Sequence, residues 1–445
     1  MTLSAAIRSE GHIVLNVASS GIASLLLPNG RTAHSRFKIP LDINEDSICC
    51  IKQGSSLARL VCKAKLIIWD EAPMLNKLCY ELLDKCLCDI LRFESYYNAD
   101  LPFMGKVVVL GGDFRQILPV IPMGSRQEIV HASINSSYLW RFCQVLTLTE
   151  NMRLTMGTNV SEVSMIKEFA DWLLKIGDVL VRDSTEGESE VEIPKEMLIH
   201  DSAEAFRELV IFVYPKLLNN INRMEYFKER SILAPTLEVV NEVNAYVMQQ
   251  LSGEEKTYLS SDTLCFEEGN MESELETLTP DVLNAINCSG LPPHQLTLKE
   301  GVPVMFFRNI DQSSGLCNGT RLQVRRLGTH VIECMTLTGD KTGQVVLIPR
   351  MNMISNNQTL PFRFQRRQFP IIVSFAMTIN KSQGQTLSTV RLYLPRPVFT
   401  HGQLYVALSR VKSKQGLRVL IQNHSSVLPN TTINIVYREV FRNLA

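Results

Sequence analysis

No stretch of this 445-residue sequence stays apolar for the roughly 18 to 20 residues that crossing a bilayer requires. Net charge is missing as well, since 45 Lys and Arg balance 45 Asp and Glu. Nothing global then attracts a polyanion, so any nucleic-acid site has to be a local cleft. The eleven cysteines form no repeated CxxC pairs, and Cys49-Cys50 and Cys86-x-Cys88 are their tightest spacings. An odd, scattered set argues against a zinc site or a disulfide framework and for reduced thiols. The start, MTLSAAIRSEG, lacks the apolar core of a signal peptide, and the Asn318-Gly-Thr320 sequon carries no weight without secretion. The setting expected from these absences is the cytoplasm, the nucleus or an organelle interior.

What is present is an ordinary globular balance, 45% apolar and 20% charged, on a chain long enough for two or three domains. Three short β-branched runs, HIVLNVA (12–18), KLIIWD (65–70) and KVVVLGGD (106–113), read as buried parallel strands. Helical segments lie between them, for example 74–91 with Leu75, Leu78, Leu82 and Leu83 on one side. Alternating strands and helices predict a doubly wound α/β sheet, whose ligands sit beyond the C-terminal strand ends. A helix is expected over 160–176, then an exposed acidic linker, DSTEGESEVE (183–192). A second α/β series begins at RSILAPT (230–236) and resumes with FPIIVSFAMT (369–378), TVRLYLP (389–395) and GLRVLIQ (416–422). Between these pieces, 295–350 breaks into short strands separated by Gly, Asn and Asp turns, the pattern of a small inserted β-barrel.

The chemistry concentrates at strand tips. In KAKLIIWDEAP (63–73) an apolar run stops on Asp70 and Glu71. That is the arrangement in which the first carboxylate serves Mg²⁺ and the second polarises a water attacking a terminal phosphate. GGDFRQILP (111–119) brings Asp113 and Gln116 to the next tip, where the amide can bond a water or a γ-phosphate. Arg153 in LTENMRL and Arg410 in LYVALSRVKS are candidates to neutralise transferred phosphoryl charge. Two hydroxyl- and amide-rich turns follow strands. VASSGIASLLL (17–27) opens a helix with Ser19, Ser20 and Gly21. AMTINKSQGQTL (376–387), with Asn380, Lys381 and Ser382, is expected to lead into another. Such turns offer hydroxyls and backbone N–H groups to phosphates, and the pair describes a groove tracking a nucleic-acid backbone. Phe37, Arg363, Arg366 and Arg367 can add stacking and charge, with core packing an equal alternative for Phe37.

VASSGIA, IIWDEAP, GGDFRQ, ENMRL, SILAPT, AMTINKSQGQT and LYVALSR, in that order, resemble the motif series of superfamily-one DNA helicases. The match is closest to the petite-integration-frequency (PIF-one-like) type, including the form carried by Helitron transposons. The resemblance implies an α/β fold: two RecA-like, P-loop-NTPase-type parallel-sheet domains with a small inserted Src-homology-three-like β-barrel. The domains would be 1–155 for the first motor domain, 156–294 with 353–445 for the second, and 295–352 for the barrel. It implies an ATP-driven motor moving 5′ to 3′ on single-stranded DNA and unwinding duplexes, in a nucleus or mitochondrion. Glu71 would be catalytic base, Gln116 γ-phosphate sensor, and Arg153 and Arg410 the arginines completing the site. Asp70 would serve Mg²⁺; Asp113, Gly384 and Gln385 would line the ATP site. Ser19, Ser20, Gly21, Phe37, Asn380, Lys381 and Ser382 would lie along the DNA. The process served, whether transposition, telomere or mitochondrial DNA maintenance, recombination or repair, and the oligomeric state stay open.

One part of the family's pattern is absent. Family members carry a phosphate loop, G-x-x-x-x-G-K-[ST], before the helix that here reads TLSAAIRSEG, and the sequence has no match; Gly105-Lys106 is followed by Val107 and opens a strand. That loop's backbone donors, lysine and hydroxyl cradle the phosphates and ligate Mg²⁺, and its strand would otherwise fill the sheet. Two explanations stay open, an incomplete stretch of an active helicase or a remnant that grips DNA without a motor. A third is an ATPase acting on a protein partner. A GGTGKT-like segment in frame upstream of Met1 separates the first two. For the 445 residues themselves the expectation is weak ATP binding and little hydrolysis. A radiolabelled ATPase assay with single-stranded DNA checks this, and several turnovers per second would overturn it.

Overall fold

The structure is a computed structural model that describes residues 2–92, 98, 100–152, 154, 160–178, 187–200, 202, 204–265, 279–288, 290–339, 341–355, 360, 362–422, 430–442 and 444. Two compact units divide the chain: Met1–Leu209 with Leu233–Thr236 and Thr378–Ala445, and Val210–Ile232 with Leu237–Met377.

The first unit contains the three expected strands in one parallel sheet. Its strands are β1 (Ile13–Ala18), β2 (Arg31–Thr32), β3 (Ala64–Asp70) and β4 (Val107–Leu110), ordered β2-β1-β3-β4. In the register, Ala18 faces Asp70 and Trp69 faces Leu110, so all three loops leave the same side. Around this sheet lie α1 (Thr2–Ser9), α2 (Gly21–Leu25), α3 (Ala33–Phe37), α4 (Ser56–Lys63) and α5 (Leu78–Leu91). Hydroxyl caps start three of them: Ser20, Thr32 and Ser55 each accept a backbone N–H of the first turn. Tyr80, Leu83, Leu87 and Leu91 of α5 are buried in the core, the spacing that laid an apolar stripe on one helix face. Trp69 sits unexposed between Phe37, 5.9 Å away, and Tyr80, 4.4 Å away. On β4 the side chains of Val107 and Val109 are 57% and 37% exposed.

The second parallel sheet of this unit runs through Thr389–Leu394, Leu417–Ile421 and Leu198–Ile199, with the end of Arg230–Ala234 beside the first of them. Helix Val160–Gly177 forms where its stripe predicts. The acidic segment departs from expectation. Glu188–Glu192 is not an exposed linker but a strand, paired antiparallel with Thr431–Ile435. Ser189 and Val191 face inward while the glutamates alternate outward; that period of two was hidden by the acidic composition.

The second unit carries antiparallel β-structure. Val345–Pro349, Val331–Thr336, Arg321–Leu327, Pro303–Phe306 and Ile371–Val373 form a five-stranded sheet in that order. Met351–Ile354, Arg363–Gln368 and Ser261–Cys265 form a second, and Gln295–Lys299 pairs with Glu255–Leu259. The run 369–378 is two strands rather than one, broken where Ser374 donates its N–H to the Pro303 carbonyl.

Arg366 is not a surface contact. It is fully buried against the buried carboxylate of Asp262, at 2.7 to 3.1 Å, and also donates to the carbonyls of Leu283 and Pro292. Its guanidinium thus ties a helix and a loop to two strands, and removing Asp262 leaves a buried cation with carbonyl dipoles and the Phe364 ring around it but no counter-charge among its hydrogen-bond partners. Asp262→Ala should therefore destabilise this unit by about 3–5 kcal/mol. Denaturant unfolding followed by circular dichroism checks it, and a loss within experimental scatter would contradict the assignment.

Candidate functional site

The tip of β3 reverses sharply, and the reversal is what presents its acids. Glu71 adopts φ 53°, ψ 41°, a left-handed conformation that a side chain enters at a cost of about 1–3 kcal/mol. A 3₁₀ turn, Ala72–Met74, follows, fastened by Ala72 N–H to the Gly111 carbonyl and by the Tyr80 hydroxyl to the Ala72 carbonyl. Gly112 lets the next loop nest here: a Cβ on it would lie 2.2 Å from Pro73 Cδ. Behind the tip, Ser19 N–H bonds the Asp70 carbonyl, and Trp69 Nε1–H donates to Ser19 Oγ at 3.2 Å.

Acids and cations converge around Glu71. Burial raises its pKa, and the neighbouring charges of Asp70 and Asp113 push the same way; Arg410 and a hydrogen bond from the Gln383 amide pull it back. Asp70 is likewise raised by burial, although it accepts the Glu71 N–H at 3.0 Å. Arg410 is buried at the end of helix Gln403–Ser409, its guanidinium held by the carbonyls of Val406, Ser382 and Gln385. Tyr405 of the same helix donates to Asp113 at 3.0 Å. Arg115 braces that loop, bonding Asp178 at 2.6 Å. The Gln116 backbone packs on the start of the same helix, where a Cβ on Gly402 (φ +72°) would lie 2.6 Å from the Gln116 carbonyl. The side-chain oxygens of Gln116 and Gln383 are buried with no hydrogen-bond partner among the described residues. A raised carboxylate, two unsatisfied amide acceptors and an arginine are what activation and orientation of a water require. Among the described residues no three His, Cys, Asp or Glu side chains cluster as a metal cage. The single hard oxygen donor set of Asp70 instead suits a divalent cation that takes its other ligands from phosphate and water.

A family profile described as "PIF1-like helicase" matches residues 1–187, and one described as "DNA helicase Pif1, 2B domain" matches residues 281–327. Over these residues the chain matches the PIF1-like helicase family. It is 25% identical to the ATP-dependent DNA helicase PIF1 of Emericella nidulans over 97% of this chain and 57% of that protein. To the ATP-dependent DNA helicase PIF1 of Xenopus laevis it is 26% identical, over 84% of this chain and 49% of that one. The chain thus spans about half the length of these curated relatives. In fold it resembles the Bacteroides Pif1 helicase solved with ADP-AlF3 and single-stranded DNA, with a TM-score of 0.63 at 21% identity, covering 98% of this chain and 87% of that one.

Within the first unit, Asp70, Glu71, Asp113 and Arg410 form one electrostatic group, and Gln116 adjoins it through Gly402. Arg153 lies outside the described residues. The turn at 379–382 is a 3₁₀ helix and is not followed by a helix as expected, because Gly384 turns left-handed at φ +78° before strand Thr389–Leu394. That turn abuts α2: a Cβ on Gly384 would lie 3.6 Å from Ala23 N. Gln385 is buried and donates to the Lys381 carbonyl. Phe37 is a correction, since its unexposed ring packs on Trp69 and no base can stack on it. Ser382 is buried with its hydroxyl on the Ile379 carbonyl, and Ser19 gives its oxygen to Trp69, so neither hydroxyl faces outward. Ser20 caps α2, ahead of Gly21. Asn380 accepts from Gln403, and burial pulls the Lys381 ammonium down to about 8. Gln383 and Tyr405 join the candidate site without having been singled out in the sequence. Each lies inside a run already singled out, but only the fold shows that Gln383 meets Glu71 and Tyr405 meets Asp113.

His401, just before the same helix, accepts the Tyr437 N–H at Nδ1, so Nε2 carries the proton and donates to the Phe114 carbonyl at 2.7 Å. Burial pushes its pKa down to about 4 from 6.5. The unfolded chain therefore takes up a proton near pH 6.5 that the folded site refuses until about pH 4. Stability from neutral His401 is whole above that window and is lost as pH falls through it, at up to about 1.4 kcal/mol per pH unit. Thermal melts from pH 7.5 to 4.5 should show a steeper acid loss for the native chain than for His401→Gln, and parallel curves would contradict this.

Proposed function

We propose that this chain is the motor portion of an ATP-dependent DNA helicase that moves 5′ to 3′ on single-stranded DNA. Residues 1–155 are read as the first motor domain, 156–294 with 353–445 as the second, and 295–352 as the insert. The observation that carries the reading is Glu71. It is a carboxylate fixed in a strained backbone at a strand tip, its pKa raised by burial and drawn back by the charge of Arg410 and the Gln383 amide. In this reading Glu71 takes the proton of a water, Gln116 and Gln383 orient that water, and Arg410 neutralises charge on the transferred phosphoryl group. Arg153 is proposed as the second arginine. Asp70 would hold Mg²⁺, which supplies charge neutralisation at the phosphates when bound; Asp113, Gly384 and Gln385 complete the nucleotide side. The backbone around Ser20 and Gly21 and the Asn380–Lys381 turn are proposed as the DNA track, supported by the approach of Gly384 to Ala23. The relatives' names support ATP and DNA as substrates, and work on nuclear or mitochondrial DNA is proposed with them.

A second reading, a single-stranded-DNA-binding module without turnover, is favoured by one fact: the sequence contains no G-x-x-x-x-G-K-[ST]. Anisotropy with labelled oligo(dT) and a DNA-stimulated ATPase assay separate the two. Both readings expect DNA affinity that falls with salt, at a log–log slope of about −0.7 per phosphate contacted. For the 445 residues alone both readings expect little turnover; the motor reading adds ATP turnover once a phosphate loop is supplied in frame upstream, and Glu71→Gln then lowers that turnover roughly 10²- to 10⁴-fold while DNA affinity is kept. Background turnover in both proteins selects the binding module, and absence of DNA binding at low salt sinks both readings.

A further inference from the structure

His401 and Gly402 stand just before the helix that carries Tyr405 and Arg410. His401 is unexposed, and it meets polar backbone on two sides. On one side Nε2–H donates to the Phe114 carbonyl at 2.7 Å; on the other Nδ1 accepts the Tyr437 N–H at 2.8 Å. Gly402 repeats the bridge in backbone alone. Its N–H bonds the Ile435 carbonyl at 3.1 Å, and a Cβ on it would lie 2.5 Å from the Arg115 carbonyl. The dipeptide is thus wedged between the loop Asp113–Gln116 and the chain leaving strand Thr431–Ile435. Phe114 packs against two apolar clusters, one holding Trp69 and one holding Leu118, Tyr437 and Val440, and edge-on against Trp140.

We propose that His401 is a positioning residue for Gln116, holding the Asp113–Gln116 loop in place through the Phe114 carbonyl and against the backbone of Tyr437. This role rests on reading Gln116 as a group that orients the attacking water. The two neighbours dictate the side chain: one presents an acceptor and the other a donor. A neutral imidazole answers both at once, because its two nitrogens differ and lie apart on the ring. Remove them, and the Phe114 carbonyl and Tyr437 N–H each lose a buried partner, which costs more than the bond itself is worth. The loop then leaves its seat, and Gln116, two residues past Phe114, moves with it. Bulk alone would demand something else. The rings of Tyr437 and Phe441 lie 5.3 and 6.2 Å from the imidazole, so a mere space-filler is replaced best by phenylalanine. A bridge is replaced best by glutamine, whose amide both donates and accepts.

Hydrogen exchange read by mass spectrometry separates these roles in the chain without nucleotide. In His401→Phe, exchange across 111–119 and at Tyr437 should quicken roughly 5- to 100-fold, while His401→Gln stays near the native rates. Native-like protection in His401→Phe, or protection lost as much in His401→Gln, overturns the proposal. Circular dichroism verifies folding, and selective ¹⁵N-histidine labelling of the native chain needs no variant: it should show one imidazole protonated at Nε2 and bare at Nδ1, and the opposite tautomer is a refutation. In the ATPase assay with the phosphate loop supplied, His401→Phe should lower kcat roughly 10- to 100-fold with KM kept, and His401→Gln should restore it. Turnover indifferent to Glu71→Gln removes the nucleotide reading and leaves the exchange result standing. Turnover that falls with Glu71→Gln but not with His401→Phe removes the positioning role alone.

Discussion

Three carboxylates cannot share a half-buried corner unless something offsets their mutual repulsion. Asp70, Glu71 and Asp113 do share one, and the arrangement of the first unit follows from how that is managed. The charge of Arg410 draws the Glu71 pKa down, the hydroxyl of Tyr405 is committed to Asp113, and Arg115 stands between Asp113 and Asp178. Tyr405 lies 292 positions beyond Asp113, and Arg410 comes from the end of the same late helix. The acidic tip is thus finished only when the late helix Gln403–Ser409 lies against it, and the chemistry proposed for Glu71 depends on that closure.

The strain at Glu71 belongs to the same constraint. A strand that simply ran on would carry Glu71 to the opposite face from Asp70, since successive side chains alternate. The left-handed turn keeps its carboxylate among the others, and Trp69, wedged between Phe37 and Tyr80, supplies the rigid footing. Phe37 therefore serves the site without touching a ligand.

The parallel strands were legible because β-branched runs ending in Gly, Ser or Asp have few other uses, and the long helices because their stripes repeat at helical spacing. Glu188–Glu192 was not, since its acids masked an alternation that only the pairing with Thr431–Ile435 rewards. Arg366 was misread for a related reason: an arginine-rich FRFQRRQ gives no hint of which guanidinium turns inward, and Asp262, its partner, is about 100 positions away. At the site, the ordered motifs announced Asp70, Glu71, Gln116 and Arg410. Gln383 stayed hidden among four similar polar neighbours, because which amide faces the carboxylate is set by a turn whose geometry rests on Gly384.

The division of the chain into units has a consequence for synthesis. The first unit takes its residues from both ends of the polypeptide, so that in the sequence most of the second lies between its parts. Asn135 bonds the Val440 carbonyl, Arg126 pairs with Glu439, and the strand at 188–192 finds its neighbour only at 431–435. On the ribosome, the inner unit can emerge whole and fold while the outer one still waits for its last strand. Pairings of such separation are slow to form and leave apolar edges open meanwhile. Nascent chains stalled before residue 431 would keep an unfinished outer unit within reach of chaperones.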